Sequence, residues 1–278
     1  MSAPRRRGAR AGVLRRRLWG AYTTVVFVAM FVPVAYLVLM SFNTSPYGTL
    51  PFHPTTAWYA RLFHEPGLAA ITLHTLAMSG VVALACAALG SMAAMGLARG
   101  GLPRPLVALL RGVDLVPVTV PWLVLGVTML LFLLLIGSGR SVLNLYLGNM
   151  VVVLPYVTIL VSARLRNERF EQEEAGAQLG GTPLRVFLAI TLPKLTPSIL
   201  AGAIMAFMVS FNNFLIQYYL APFGTATLPM EIYGLVRAGV RPDINALSTF
   251  LVVASILLVL ALDRLVGIGA SLGAPRER

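Results

Sequence analysis

Residues 173–193 read EEAGAQLGGTPLRVFLAITLP, the one long charged excursion between otherwise apolar segments of a 278-residue chain. With Glu168 and Glu171 just upstream, Glu173 and Glu174 predict a short polar helix over 168–179. Gly180 and Gly181 follow it, and glycine readily takes the left-handed conformation that ends a helix. Thr182 then predicts an N-cap, and Pro183 a first helical position, where a missing N–H costs nothing. Leu184, Phe187, Leu188 and Thr191 recur at helical spacing, and Pro193 and Pro197 are expected to stop this second helix before the next apolar run. The expected product is a helix-turn-helix knob standing off a membrane.

The membrane follows from composition. At 58% hydrophobic and 12% charged residues, with mean hydropathy +0.81, the chain has too little polar surface to cover a soluble globule of its size. Its net charge of +12 does not point to nucleic acid, because the basic residues sit at the ends of apolar runs and are not interleaved with stacking aromatics. The single cysteine, Cys86, lies among alanines in an apolar run and implies neither a disulfide framework nor a metal site.

Taken in order, residues 1–17 form a basic N-terminus, and 18–41 a first spanning helix kinked at Pro33, too long for a cleaved signal sequence. Residues 42–68, rich in Pro and Gly with Trp58 and Tyr59, predict an external loop with a short interfacial helix. Five further spans are expected within 69–266: about Ala69–Ala98, Arg111–Ile136 interrupted by Pro117 and Pro121, Ser141–Ala163, Pro197–Leu220 and Ile244–Leu262. Ala83, Ala87, Gly90 and Ala94 give the second span a small-residue face suited to close helix packing. Loop 164–196 joins the fourth and fifth spans, and 267–278 is a tail. With the N-terminus inside, 18 of the 22 basic residues fall on inner segments, so the positive-inside rule puts both termini and loop 164–196 in the cytoplasm. The fold class is an all-α membrane protein of six transmembrane helices.

Glu174 and Ala175, Gly180 six residues after the Glu, then Ile190, Leu192 and Pro193 have the spacing of the EAA loop of ABC-importer permeases. Gly176 departs from that pattern, standing where the third residue is usually Ala, which loosens the helix by about 1 kcal/mol. The segments SFNTSPYG (41–48) and LPMEIYGLVRAGVRPDINAL (228–247), with the order of apolar runs, resemble the spermidine/putrescine-type branch. The resemblance covers nearly the whole chain. It implies the type I importer permease fold in the bacterial inner membrane and an ATP-driven, binding-protein-dependent importer of polyamines or a related small polar solute. The implied partners are ABC ATPase subunits, a second permease and a periplasmic solute-binding protein. In the family the loop inserts into a cleft of the ATPase subunit, so Glu174 would offer a carboxylate there and Gly180 the tight turn. No GxxxxGK[ST] motif occurs, so ATP and Mg would be bound by the partner and this chain would carry no cofactor.

In the fifth span Gly202, Ala206, Ser210, Asn213 and Gln217 recur at helical spacing and are expected to share one helix face. Such a stripe either hydrogen-bonds between helices or lines a translocation path, with Asn212 at its edge. Polyamine permeases tend to be acidic at the positions matching Asn212 and Asn213, and two amides give an ammonium chain no fixed attraction. Asp114 is expected to pair locally with Arg111. His53, His64 and His74 have neither metal-ligand spacing nor a partner that would make a nucleophile. A rival class, a carrier driven by an ion gradient, calls for embedded acids or paired repeats.

The charge asymmetry makes a direct prediction. In a variant lacking Cys86, a cysteine at Gly224 should react with an impermeant thiol reagent in intact cells, and one at Gln172 only after permeabilisation. Labelling of position 172 from outside would reverse the orientation.

Overall fold

A computed structural model describes residues 5–45, 51–64, 66–167, 171–238 and 242–266, and all the regular elements in them are helices apart from one isolated pairing of Asn43 with Pro54. By contacts the chain divides into two compact units, Met1–His64 with Leu235–Val253 and Glu65–Gly234 with Ala254–Arg278.

The first unit holds α1 (Arg5–Met40), which runs through Pro33, and α2 (Ala57–His64), the expected short helix of the external loop. Its turn is held by polar groups. The Ser41 hydroxyl lies 2.6 Å from the Tyr59 hydroxyl, Trp58 Nε1 donates to the Asn43 carbonyl at 2.9 Å, and Asn43 Oδ1 accepts from the His53 N–H at 3.1 Å. The resemblance-bearing segment that begins at Ser41 is therefore, where described, a hydrogen-bonded corner.

The second unit is built on α3 (Pro66–Arg99), α4 (Arg104–Thr119), α5 (Trp122–Leu135), α6 (Val142–Asn167), α7 (Glu171–Gln178), α8 (Pro183–Val186), α9 (Leu192–Phe211) and α10 (Phe214–Leu220). Two further helices, α11 (Leu228–Ala238) and α12 (Pro242–Val266), contribute residues to both units. The core is the packing of α3, α6 and α9. Val82, Ala83, Cys86 and Ala94 meet Val153, Val157, Val161, Leu165, Leu195 and Ala206 there, all buried. Glycine sets the spacing, because a Cβ on Gly90 would stand 2.8 Å from Val157 Cβ and one on Gly202 would stand 3.2 Å from Val157 Cα. Next to it Met78, Leu145, Val152, Ile216 and Leu220 bring α10 onto the same bundle.

Four helices in the described residues are long and apolar enough to cross a membrane, and a fifth crossing exists if the pair α4 and α5 counts as one. That pair corrects the expected third span. It starts earlier, at Arg104, and is bent by 110° between Thr119 and Trp122. Val120 is extended (φ −82°, ψ 133°) because the following Pro121 excludes it from the helical region. The expected sixth span falls within α12.

The Gly90 contact predicts a stability difference. Gly90→Val should destabilise the bundle by about 1–3 kcal/mol through overpacking against Val157. Gly112→Val, whose Cβ would meet nothing within 4 Å, is the control. Thermal melts of the two solubilised variants check this, and equal melting temperatures would contradict it.

Candidate functional site

Helix α7 covers 171–178 of the stretch 168–179 expected to be helical, and Glu168 lies outside the described residues. Glu171, Glu173 and Glu174 occupy its first turn, where the helix dipole favours negative charge. Its end has the paired bonds of a Schellman motif: the Gly181 N–H bonds to the Gly176 carbonyl at 3.1 Å, and the Gly180 N–H to the Ala177 carbonyl at 3.0 Å. Gly180 has φ +83°, as the turn requires. Thr182 caps the next helix, its hydroxyl accepting from the Arg185 N–H at 3.4 Å, with Pro183 at the first position.

Gly176 proves to be a contact point. A Cβ there would stand 2.8 Å from Ile190 Cδ1 and 3.4 Å from Val186 Cγ2, so the missing methyl lets α7 settle onto the helix that follows.

Pro193 and Pro197 do not stop that helix, contrary to expectation. From Pro183 to Phe211 it is continuous over 29 residues. Between them Phe187–Thr191 forms a wide turn of π type, and the Leu192 N–H reaches back five residues to the Phe187 carbonyl. A proline at 193 lacks an N–H, and its ring would strike the carbonyl four residues back in a regular α-helix; one extra residue in the turn relieves both demands. Ile190 and Leu192 are half-buried in this segment and Pro193 is exposed. The knob and the fifth span are thus one body.

Glu174 and Ala175 are exposed, beside Leu179 (89% exposed), Leu184 (67%) and Leu188 (52%). Glu173 turns the other way. Nη1 of Arg99, the last residue of α3, holds both of its carboxylate oxygens at 2.5 and 2.6 Å. This tie was not legible in the sequence, where nothing links a span end to a loop acid 74 residues later.

The expected polar stripe divides. Because α9 ends at Phe211 and α10 begins at Phe214, the five residues do not lie on one continuous helix. Asn213 caps α10, Oδ1 accepting from the Ile216 N–H at 3.2 Å. Gln217 Nε2 donates back to the Ser210 carbonyl at 2.7 Å, and the Ser210 hydroxyl to Asn149 Oδ1 on α6 at 3.5 Å. Ser210, Asn213 and Gln217 have no exposed surface in this chain, whereas Asn212 is exposed, with Nδ2 on the Met208 carbonyl at 2.9 Å.

Arg111 and Asp114 do not form the expected ion pair. Among the described residues no group of three or more His, Cys, Asp or Glu is placed to hold a metal.

Residues 87–270 match the model of a family described as the binding-protein-dependent transport system inner membrane component. The chain is 32% identical over 231 residues to the putrescine transport system permease protein PotI of Escherichia coli K12, covering 81% of this chain and 82% of the relative. It is 28% identical to the spermidine/putrescine transport system permease protein PotC of the same organism, covering 90% and 94%. Among solved structures, a chain of a bacterial ABC transporter that imports the acidic polysaccharide alginate superposes with TM-score 0.70 at 17% identity, over 92% of this chain and 98% of that one. A chain of the MetNI methionine ABC transporter gives 0.56 at 16%, over 73% and 97%. The fold is that of a type I importer permease.

The Arg99–Glu173 tie makes its own prediction. Glu173→Arg should speed proteolytic cleavage of the loop, and Arg99→Glu added to it should restore most of the protection. Both side chains are about one-fifth exposed, so the coupling energy should be on the order of 1 kcal/mol. Strictly additive effects would show that the pair does not anchor α7.

Proposed function

The chain belongs to the family of binding-protein-dependent transport system inner membrane components, and from that premise we propose that it is the permease subunit of an ATP-driven importer of polyamines, in the bacterial inner membrane. The observation that carries this reading is a knob that presents a carboxylate and three leucines to water and continues without a break into a spanning helix. The partners are an ATPase pair, which binds ATP and Mg, a second permease of the same fold and a periplasmic binding protein. The polyamine class rests on the names of the relatives.

In this reading the exposed face of α7 and α8, with Glu174, Ala175 and Gly180, docks in the ATPase, and Ile190, Leu192 and Pro193 carry the motion onward. Closure of the ATPases moves the knob, and the body from Pro183 to Phe211 moves with it. The break at Asn212 and Asn213 is where that motion can be taken up. Exposed Asn212 faces the path, and Ser210, Asn213 and Gln217 hold the backbone that presents it. An amide gives no fixed attraction to an ammonium chain, so most of the selectivity comes from the binding protein.

The test is the assembled complex in liposomes, with ATP hydrolysis as readout. Binding protein loaded with putrescine or spermidine should stimulate hydrolysis. Gly180→Pro should abolish the stimulation and the co-purification of the ATPase while the bundle still inserts, because proline forbids φ +83°. Glu174→Arg should weaken docking in the same direction. Asn212→Asp with Asn213→Asp should change the transport rate more than solute preference. Full ATPase recovery and normal uptake with the first two variants would overturn the docking role, and stimulation by an unrelated solute alone would overturn the polyamine assignment.

A further inference from the structure

Between α3, α4 and α6 lies a cavity of about 470 Å³ whose walls, among them Leu97, Val113, Pro117, Val151 and Leu154, are apolar except for Asp114. A second cavity of about 170 Å³ shares that carboxylate and adds Arg111, Arg166, Thr158 and Ser162 to the apolar Leu115, Ile159 and Ala163. The space exists because α3 presents Ala93 and Gly96 here, too small to fill it. Arg111, Asp114 and Arg166 form no ion pair with one another. Arg166 is the second-last residue of α6, at the end that leads to loop helix α7, and the α4 residues that share its cavity, Arg111 and Asp114, lie mid-helix. This places the charged cavity at headgroup depth and the apolar one beside it toward the hydrocarbon.

We propose that this double cavity is a binding site for one phospholipid with a primary ammonium headgroup, of the phosphatidylethanolamine type. An acyl chain fills the apolar part, the phosphate sits between the Arg111 and Arg166 guanidiniums, and the ammonium bonds to Asp114. Guanidiniums suit phosphate oxygens because their donors form a planar fork. The carboxylate selects the headgroup. A headgroup without a cation gives Asp114 no donor of its own and leaves it to share the two arginines with the phosphate, and a quaternary ammonium has no N–H to donate. A polycationic solute would face two arginines. The site requires only that the chain is embedded in a bilayer and does not depend on the substrate reading.

The test uses the whole complex in nanodiscs of equal phosphatidylethanolamine and phosphatidylglycerol, each in turn carrying a photoreactive group in its acyl chain. The amine lipid should label Val113, Val151 or Leu154 above the level at Leu84, an outward-facing residue of α3 that is 72% exposed. Asp114→Asn should lower the preference for the amine lipid about fivefold, the scale of one exposed charge pair. Arg111→Gln with Arg166→Gln should lower labelling by both lipids, and Leu97→Trp should abolish it by filling the cavity. Melting temperatures of the variants show that they remain folded. Labelling no higher than at Leu84, or a preference that Asp114→Asn leaves unchanged, would overturn the proposal. So would a cysteine at Val113 that cross-links to another polypeptide, which would make the groove a protein interface.

Discussion

Within hydrocarbon no water is available to satisfy a backbone N–H or carbonyl, so departures from regular helix must find partners inside the protein. This chain departs twice within its expected spans, and the helix of its second unit widens once more in the loop that precedes the fifth of them. At Phe211–Phe214 the Gln217 amide takes the Ser210 carbonyl and Asn213 caps the restarting helix. At Val120–Pro121 the bend falls on a proline, which has no N–H to satisfy. At Phe187–Thr191 the helix widens and its hydrogen bonds continue at longer reach. Asn213 and Gln217 serve the break itself, whereas the Ser210 hydroxyl reaches across to Asn149 on α6.

The wide turn has a mechanical side. A knob joined to its span by a flexible linker could move without moving the span. Here the two share a helix axis, and α7 is fastened at both ends, by Gly176 against Ile190 and by Glu173 to Arg99. The glycine that departs from the family's usual alanine gains a purpose from this contact, since the methyl it lacks would press on Ile190.

Much of this architecture was legible in the sequence, and the failures were specific. Apolar length found four of the six expected spans among the described residues, and a fifth if α4 and α5 count as one, because hydrocarbon thickness imposes a length that composition must meet. The glycine turn and Thr182 cap were readable because each rests on the local chemistry of one or two residues. The prolines misled. Pro121 does more than interrupt a span, and Pro193 does less than end a helix, since the outcome depends on whether neighbouring turns can widen or bend, which single residues do not disclose. The shared face of Ser210, Asn213 and Gln217 failed for a related reason: helical spacing assumes a helix that the asparagines themselves interrupt. Arg99 with Glu173 could not be found from spacing, because only the packed bundle brings them together.

The three leucines on the knob have a consequence for the life of the chain before assembly. Leu179, Leu184 and Leu188 together make an apolar patch in an aqueous compartment, on a surface where a monomer gains nothing from it. On the reading that the ATPase docks here, a newly inserted copy without that partner would display the kind of apolar surface that chaperones and membrane proteases bind. Synthesis in excess of its partners would therefore be self-limiting, with surplus subunits removed and the stoichiometry of the membrane complex corrected after translation.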